Sequence, residues 1–429
     1  MAEITREQNR VGSLLANTNR VEAPFIRVKI GDIVFGVFER QSKQINERNG
    51  VISKLATQYP NYIQSLTVKK INGTVNQYKL NISYQITENN DPNFFEKVFS
   101  SVSSTFRINF TYGDAMLPEY VYREEDAIIT KITNTFDINS ARINYVIDAV
   151  STSSLTLSGT YTFPARRAKP SDVIKQLVWN SKYHLTDVFK GMRDKQLVEQ
   201  NNFIAGDDRI VSIPTCTNMS ILEYIAFLVS YMNPTGSTTS SAIKQNVYSL
   251  MTYEDVTNTY GGAYFKVQKI QRAQSTLNQL CTYVIDIGYP SANVVKNFSI
   301  KNDQNWSLYY DYNRELNNTD YLSRIDHEGN LTKIYSPQLT NTRFEMNEND
   351  STWWTKVTQY PVEASITLKG LLRPAILMQY VKINMWYYGR KHLSSGYYII
   401  TSQEDSISVS GGYTTTLGLL RVAADDNFL

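Results

Sequence analysis

Cysteine, histidine and surplus charge are all scarce in this chain. Of 429 residues, two are cysteines and three are histidines. Cys216 and Cys281 are too few for a disulfide framework, and neither belongs to a CxxC or Cys/His cluster of zinc spacing. They read as two small, buried apolar side chains. His184, His327 and His392 lie far apart with no HxH, HExxH or HxxxH spacing, so no metal is expected. Lys and Arg number 43 against 40 Asp and Glu, a formal net charge of +3, whereas a dedicated nucleic-acid binder carries a basic excess. The chain has no GxSxG elbow, no GxxxxGK[ST] loop and no GxGxxG turn, which removes the usual signatures of serine hydrolases and nucleotide chemistry. Long apolar runs are missing too. Nothing approaches the roughly 18 residues of a membrane span, and polar Met1 to Arg20 lacks the apolar core of a leader. A soluble protein without membrane insertion, cofactor or metal is expected.

What the chain does have is tyrosine, 30 residues of it, within 12% aromatics and alongside abundant Asn, Ser and Thr. That is the composition of pleated, half-polar strands. The length suits two to four domains at about 100–200 residues each. Phe25 to Ile30 and Ile33 to Phe38 flank Gly31-Asp32 as a hairpin. After the turn Asn72-Gly73, Tyr78, Leu80, Ile82, Tyr84 and Ile86 alternate with polar residues, which makes an antiparallel strand with one wet face. Asp91-Pro92 then starts a helix carrying Phe94, Phe95, Val98, Phe99 and Val102. Strands resume at Phe106 to Tyr112, at Ile128 to Ile138, with Ile128, Ile132, Phe136 and Ile138 placed on one face, and at Ile143 to Val150.

Between Pro164 and Pro170 lies a basic linker, and the pattern then changes. Ser171 and Asp172 cap a helix with Val173, Ile174, Leu177 and Val178, and Ser220 with Glu223 forms a capping box before Ile221 to Met232. Strands return at Val294 to Tyr312, then, after a helix around Ser351 to Thr358, at Ala364 to Lys369, Val381 to Tyr387, Tyr397 to Thr401 and Tyr413 to Val422. The expected fold is mainly β with an α+β insertion: two tube-like antiparallel β-barrel domains separated by a mixed, partly helical region. The boundaries read as an N-terminal arm at 1–23, a first barrel at 24–160, a middle domain at 161–260, and a second barrel with a β-rich insertion at 261–429.

The two β regions share an order of parts. Arg107 to Gly113 precedes Ile128-Ile129-Thr130 and a closing strand, Ile143 to Val150. Val381 to Gly389 precedes Ile399-Ile400-Thr401 and a closing strand, Thr414 to Arg421. In both, about 15 residues separate the Ile-Ile-Thr from the closing strand, as self-similar units require. A duplicated chain assembled as a trimer presents six similar units in a ring, which lets it join a six-fold object to a three-fold one.

Candidate chemistry is sparse. A glycosidase needs two carboxylates held roughly 5–10 Å apart, but neighbours within Glu124-Glu125-Asp126 or Asp207-Asp208 point different ways. Lining a lumen, where negative charge repels passing DNA, suits Glu124, Glu125 and Asp126 better. Among the aromatics, Trp353, Trp354, Tyr388 and Tyr413 are candidates for a subunit interface, since such residues combine apolar area with a polar handle. Tyr309-Tyr310-Asp311-Tyr312 places tyrosines on both faces of a strand.

The C-terminal stretch resembles a known family. Ser351-Thr352-Trp353-Trp354, Ala364 to Pro374, Ser395 to Thr401 and Gly411-Gly412-Tyr413-Thr414-Thr415-Thr416-Leu417 together look like the end of the central baseplate hub proteins of contractile-tailed bacteriophages. The resemblance is best over 350–422, extends to 25–155 as the other barrel, and is weak between. It implies a homotrimer forming a pseudo-hexameric ring between the hexameric tail tube, or a tube-initiator protein, and the trimeric central spike. Baseplate wedge proteins would surround the ring, and tape-measure protein and DNA would pass through its lumen without specific binding. It further implies a virion baseplate location, assembly in the host cytoplasm and no catalytic residues. The alternatives are a host-receptor or polysaccharide-binding tail-tip protein and a glycan-cleaving enzyme.

Overall fold

The computed structural model describes residues 24–31, 33–36, 62–101, 106–114, 123–189, 210–230, 232, 248–254, 264–269, 274–281, 283–287, 295–302, 321–325, 331–335, 362–369, 377, 379–388, 390–391, 395–408 and 411–424. The first unit holds β1 (Pro24–Ile30), β2 (Ile33–Phe35), β3 (Ile63–Ile71), β4 (Gln77–Gln85), α1 (Phe94–Ser101), β5 (Arg107–Asp114), β6 (Arg123–Asp137) and β7 (Arg142–Ser151). A mixed region follows: α2 (Ser154–Leu157), β8 (Thr160–Phe163), β9 (Arg166–Ala168), α3 (Pro170–Val178), α4 (Leu185–Val188), β10 (Val211–Ile213), β11 (Cys216–Ser220), α5 (Ile221–Ser230), β12 (Tyr248–Tyr253) and β13 (Tyr264–Lys269). The second unit comprises α6 (Gln274–Leu280), β14 (Tyr283–Ile287), β15 (Val295–Asn302), β16 (Tyr321–Ile325), β17 (Leu331–Tyr335), β18 (Val362–Lys369), β19 (Tyr380–Tyr387), β20 (Arg390–Lys391), β21 (Gly396–Ser408) and β22 (Gly412–Ala424).

The architecture is mainly antiparallel β, as the composition implies. Alternation builds the first core: Tyr78, Leu80, Ile82 and Tyr84 of β4 turn inward, joined by Leu66 and Val68 of β3 and by Ile143, Tyr145 and Ile147 of β7. Gly73 takes the positive φ of +81° that the β3–β4 turn needs. Helix α1 closes this core with Phe95, Val98 and Phe99. At its entrance the Asp91 carboxylate accepts the Asn93 N–H at 2.9 Å and holds Lys97 Nζ at 2.6 Å.

A second core lies in the mixed region, where α3 and α5 contribute Val173, Ile174, Leu177, Tyr224, Ile225 and Leu228. The capping box forms as the sequence predicts. Ser220 N–H donates to Glu223 Oε2 at 2.9 Å, and Glu223 N–H donates to Ser220 Oγ at 3.3 Å. These bonds from Ser220 hold the Glu223 carboxyl below its usual pKa. The region docks on the first unit through the β3–β4 turn: Asn72 Nδ2 donates to the Leu250 carbonyl, and Thr252 N–H returns a bond to Asn72 Oδ1.

The third core gathers Ile366, Leu368, Val381, Ile383, Tyr398, Ile400, Leu417 and Leu419. The described strands of the first unit and, from the second, β14, β15 and β18 to β22 form one continuous 14-stranded sheet, while β16 and β17 pair only with each other. The reason is the length of β21. Its first half pairs with β19, and its second half, Ser402 to Ser408, pairs with Ile71 to Ser65 of β3.

Candidate assembly site

Strand order is repeated between the two units. The first runs β3-β4-β7-β6-β5-β1, and the second β15-β18-β22-β21-β19-β14. The repeat extends to irregularities. The β6–β7 ladder slips between Ile129 and Lys131, and the β21–β22 ladder slips between Ile400 and Ser402. At each bulge a threonine hydroxyl donates to a carbonyl across the strand, Thr130 to Asp148 at 3.1 Å and Thr401 to Gly418 at 3.2 Å. A second bulge, between Ile63 and Ser65 on β3, recurs between Val295 and Asn297 on β15. Bulges re-aim a strand and break its pairing at one residue, so two coincident pairs fix the residue correspondence between the units.

This correspondence adjusts the repeat read from sequence. The Ile-Ile-Thr equivalence holds, but the closing strands are displaced by one residue, because Asp137 pairs with Arg142 whereas Ser408 pairs with Gly412 across a shorter turn. Ile143 therefore matches Tyr413 rather than Thr414. The bulge also corrects the expected common face of β6. Thr130 bulges out, so Ile128 lies on the opposite face from Ile132 and Phe136, which pair with the inward Ile147 and Ile143. One edge breaks the symmetry: β1 runs antiparallel to β5, whereas β14 runs parallel to β19.

The β3–β21 junction joins the units inside one chain, and its core-facing side is closed to solvent. Leu66 and Ile407 face each other across it, each at 0% exposure. Beside them a polar chain is buried: Gln403 Nε2 donates to Asp405 Oδ2 at 2.9 Å, and Thr415 Oγ1 donates to Asp405 Oδ1 at 2.7 Å. Lys70, opposite Gln403, extends its Nζ to Glu125 Oε1 at 2.8 Å. Glu125 also accepts from the hydroxyls of Tyr78 and Tyr112.

The acidic triplet is thus divided. Glu125 faces the first core at 2% exposure and does not face a lumen, because strand alternation sends it to the opposite side from Glu124 and Asp126. Those two are exposed and are bridged by Asn109, whose Nδ2 donates to Asp126 Oδ1 at 2.9 Å and Glu124 Oε1 at 3.3 Å. They line an open groove of about 560 Å³ shared with Arg27, Lys29 and Arg107, a surface of mixed sign.

Of the aromatic candidates, Tyr413 is buried in the first core and belongs to the junction within the chain. Tyr388 is fully exposed at a positive φ of 48°. Trp353, Trp354, Asp207-Asp208, Tyr309 to Tyr312, His327, His392, the N-terminal arm and the helix expected at 351–358 lie outside the described residues. His184 is exposed, with Nδ1 2.8 Å from Asp187 Oδ2. Among the described residues there is no group of metal-ligating side chains, and no helix is long and apolar enough to cross a membrane.

Sequence reasoning overlooks Lys70 and the open sheet edges. Lys70 carries a signal, since it follows Leu66 and Val68 at the inward positions of β3 and is a charge where an apolar residue is due. The edges carry none: beyond its bulge, β6 has β7 on one side and, among the described residues, no strand on the other. The outer side of β15 is likewise unpaired among the described residues.

No family model and no curated protein matches the chain. Among solved structures it is similar to a tail protein from Neisseria meningitidis MC58, at 8% identity and a TM-score of 0.44, covering 95% of this chain and 98% of that one. It is also similar to the 43 kDa tail protein of prophage MuSo2 from Shewanella oneidensis, at 9% identity and a TM-score of 0.46, covering 93% and 97%. The Francisella PdpA-VgrG complex matches at 10% identity and a TM-score of 0.43, covering 98% of this chain and 62% of that chain.

Proposed function

We propose that the chain is a structural, non-enzymatic phage tail protein, a baseplate hub in which three copies present six similar β units as a ring. The repeat of strand order and of both bulges carries this reading. Two interchangeable units in one polypeptide allow a three-fold assembly to meet a six-fold partner without a second gene product. The six-fold face would receive the tail tube or its initiator, and the three-fold face the central spike. Wedge proteins would lie around it, in the baseplate of a virion assembled in the host cytoplasm.

In this arrangement the sheet face opposite the cores lines the passage. It presents Glu124 and Asp126 interleaved with Arg27, Lys29 and Arg107, so the phosphate backbone meets no uniform basic track and slides without being held. Tyr388, exposed on the β19 turn, stays available for contact with a neighbouring chain.

Image averaging of the particle that contains this chain tests the reading. Three copies per ring, with six-fold density above and three-fold density below, are expected. Six copies, or one copy at the tip of a fibre, would overturn it.

A further inference from the structure

The same strand has two different fates in the two units. In β21 the residues beyond the bulge are covered: Gln403, Asp405 and Ile407 are each at 0% exposure, because β3 lies alongside and the first core lies beneath. Their counterparts in β6 are Ile132, Asn134 and Phe136, matched through the bulge and the shared pairing with β7 and β22. Ile132 is half-buried, Asn134 is exposed, and Phe136 is an aromatic ring at 60% exposure. The backbone on that side has no pairing partner among the described residues.

The strand that would complete this edge is also in the chain, in the wrong place to reach it. The counterpart of β3 is β15, by the coincident bulge and by equivalent pairing with β18 and β4. Within one chain β15 terminates one end of the continuous sheet, far from the β6 edge, with its outer side open among the described residues. Phe298 corresponds to Leu66. Leu66 is fully buried between two strands, whereas Phe298 packs on the third core and remains half-buried.

We infer that the open edge of β6 is completed by β15 of a second copy, in the antiparallel register that β21 and β3 adopt within one chain. The inference rests on the ring reading and names the contact that builds the ring. It places Ile132 opposite Asn302 of the neighbour, Asn134 opposite Ile300 and Phe136 opposite Phe298, with Thr135 opposite Ser299. Phe136 then enters the neighbour's third core as Ile407 enters the first core of its own chain. An exposed strand edge is a template for a further strand. Because the contact joins two different edges, it is head-to-tail and repeats from copy to copy until rotation closes the ring. Closure leaves neither of these two edges open.

Paired cysteines test the register in the full-length chain. Thr135→Cys and Ser299→Cys in the same chain are expected to give covalently linked oligomers on mild oxidation, and neither single variant nor the unmodified chain, with Cys216 and Cys281, is expected to do so. Phe136→Asp, with its thermal unfolding checked, should weaken association by about tenfold or more, since it places a charge where a ring is buried. A trimer by native mass spectrometry that neither cross-links nor responds to Phe136→Asp overturns the edge pairing and leaves the ring reading standing. Cross-linking into assemblies other than trimers supports the pairing and overturns the three-copy ring. A chain that stays monomeric at high concentration and does not cross-link overturns both.

Discussion

Ile407 lies opposite Leu66 across the β3–β21 junction, and neither side chain is reached by solvent. The two come from strands more than 300 positions apart in sequence, so the second unit supplies part of the first unit's core. Ile407→Ala should therefore destabilise the isolated chain by about 2–5 kcal/mol, the range for a buried large-to-small change. Phe136→Ala, at the equivalent position on the uncovered edge, should change it by no more than about 0.5 kcal/mol, as exposed substitutions do. Urea denaturation at low protein concentration measures both. Equal losses would show that the two positions are not environmentally distinct.

The Lys70–Glu125 pair links β3 to β6 beneath the same junction, with side chains only 3% and 2% exposed. Its value lies in what happens when it is broken. Lys70→Met removes the ammonium that faces a buried carboxylate and should cost about 3–5 kcal/mol. Glu125→Gln leaves a buried ammonium but keeps a carbonyl oxygen for Tyr78 and Tyr112. Combined, the two changes leave neither charge behind, and the double variant should be more stable than the sum of the single losses predicts by about 0.5–3 kcal/mol. Chemical denaturation of the four proteins in the cycle checks this, and strict additivity would mean that the charges do not sense one another.

Strand alternation and caps made much of the fold readable in advance. Tyr78 to Ile86, Ala364 to Lys369 and the Ser220–Glu223 box are local patterns, and each appears where its period or spacing puts it. The face of β6 was not readable, because a single bulged residue, Thr130, reverses which side chains point inward, and no residue type demands a bulge there. Nor was the fusion of the two units through β21. That depends on β21 running past the end of β19 and meeting β3, a long-range pairing that sequence periodicity does not encode. Of the proposed site residues, Glu125 shows the same limit. Its burial follows from Lys70, Tyr78 and Tyr112, which converge on it from three other strands.

Tyrosines buried around these junctions make the protein sensitive to alkali rather than to mild acid. Burial, reinforced by the neighbouring Glu125, pushes the Tyr78 hydroxyl well above its ordinary value of 10.0. Burial and the hydrogen bond to Glu96 raise Tyr145, and burial pushes Tyr398 up to about 12. In the unfolded chain these phenols ionise near 10, while in the folded chain they keep their protons, so above that pH the folded state binds more protons and unfolding becomes easier as pH rises. The stabilisation is complete below pH 10 and is lost progressively as the pH climbs through 10 toward 12 and beyond. Denaturation midpoints should begin to fall above about pH 9, where the Cys281 thiol, pushed by burial up to about 12, ionises only on unfolding, and should fall further between pH 10 and 12, with phenolate absorbance appearing together with the loss of structure. Tyr398→Phe, which cannot ionise, should make that fall shallower. A slope that the substitution leaves unchanged would mean that Tyr398 titrates as freely in the folded protein as in the unfolded chain.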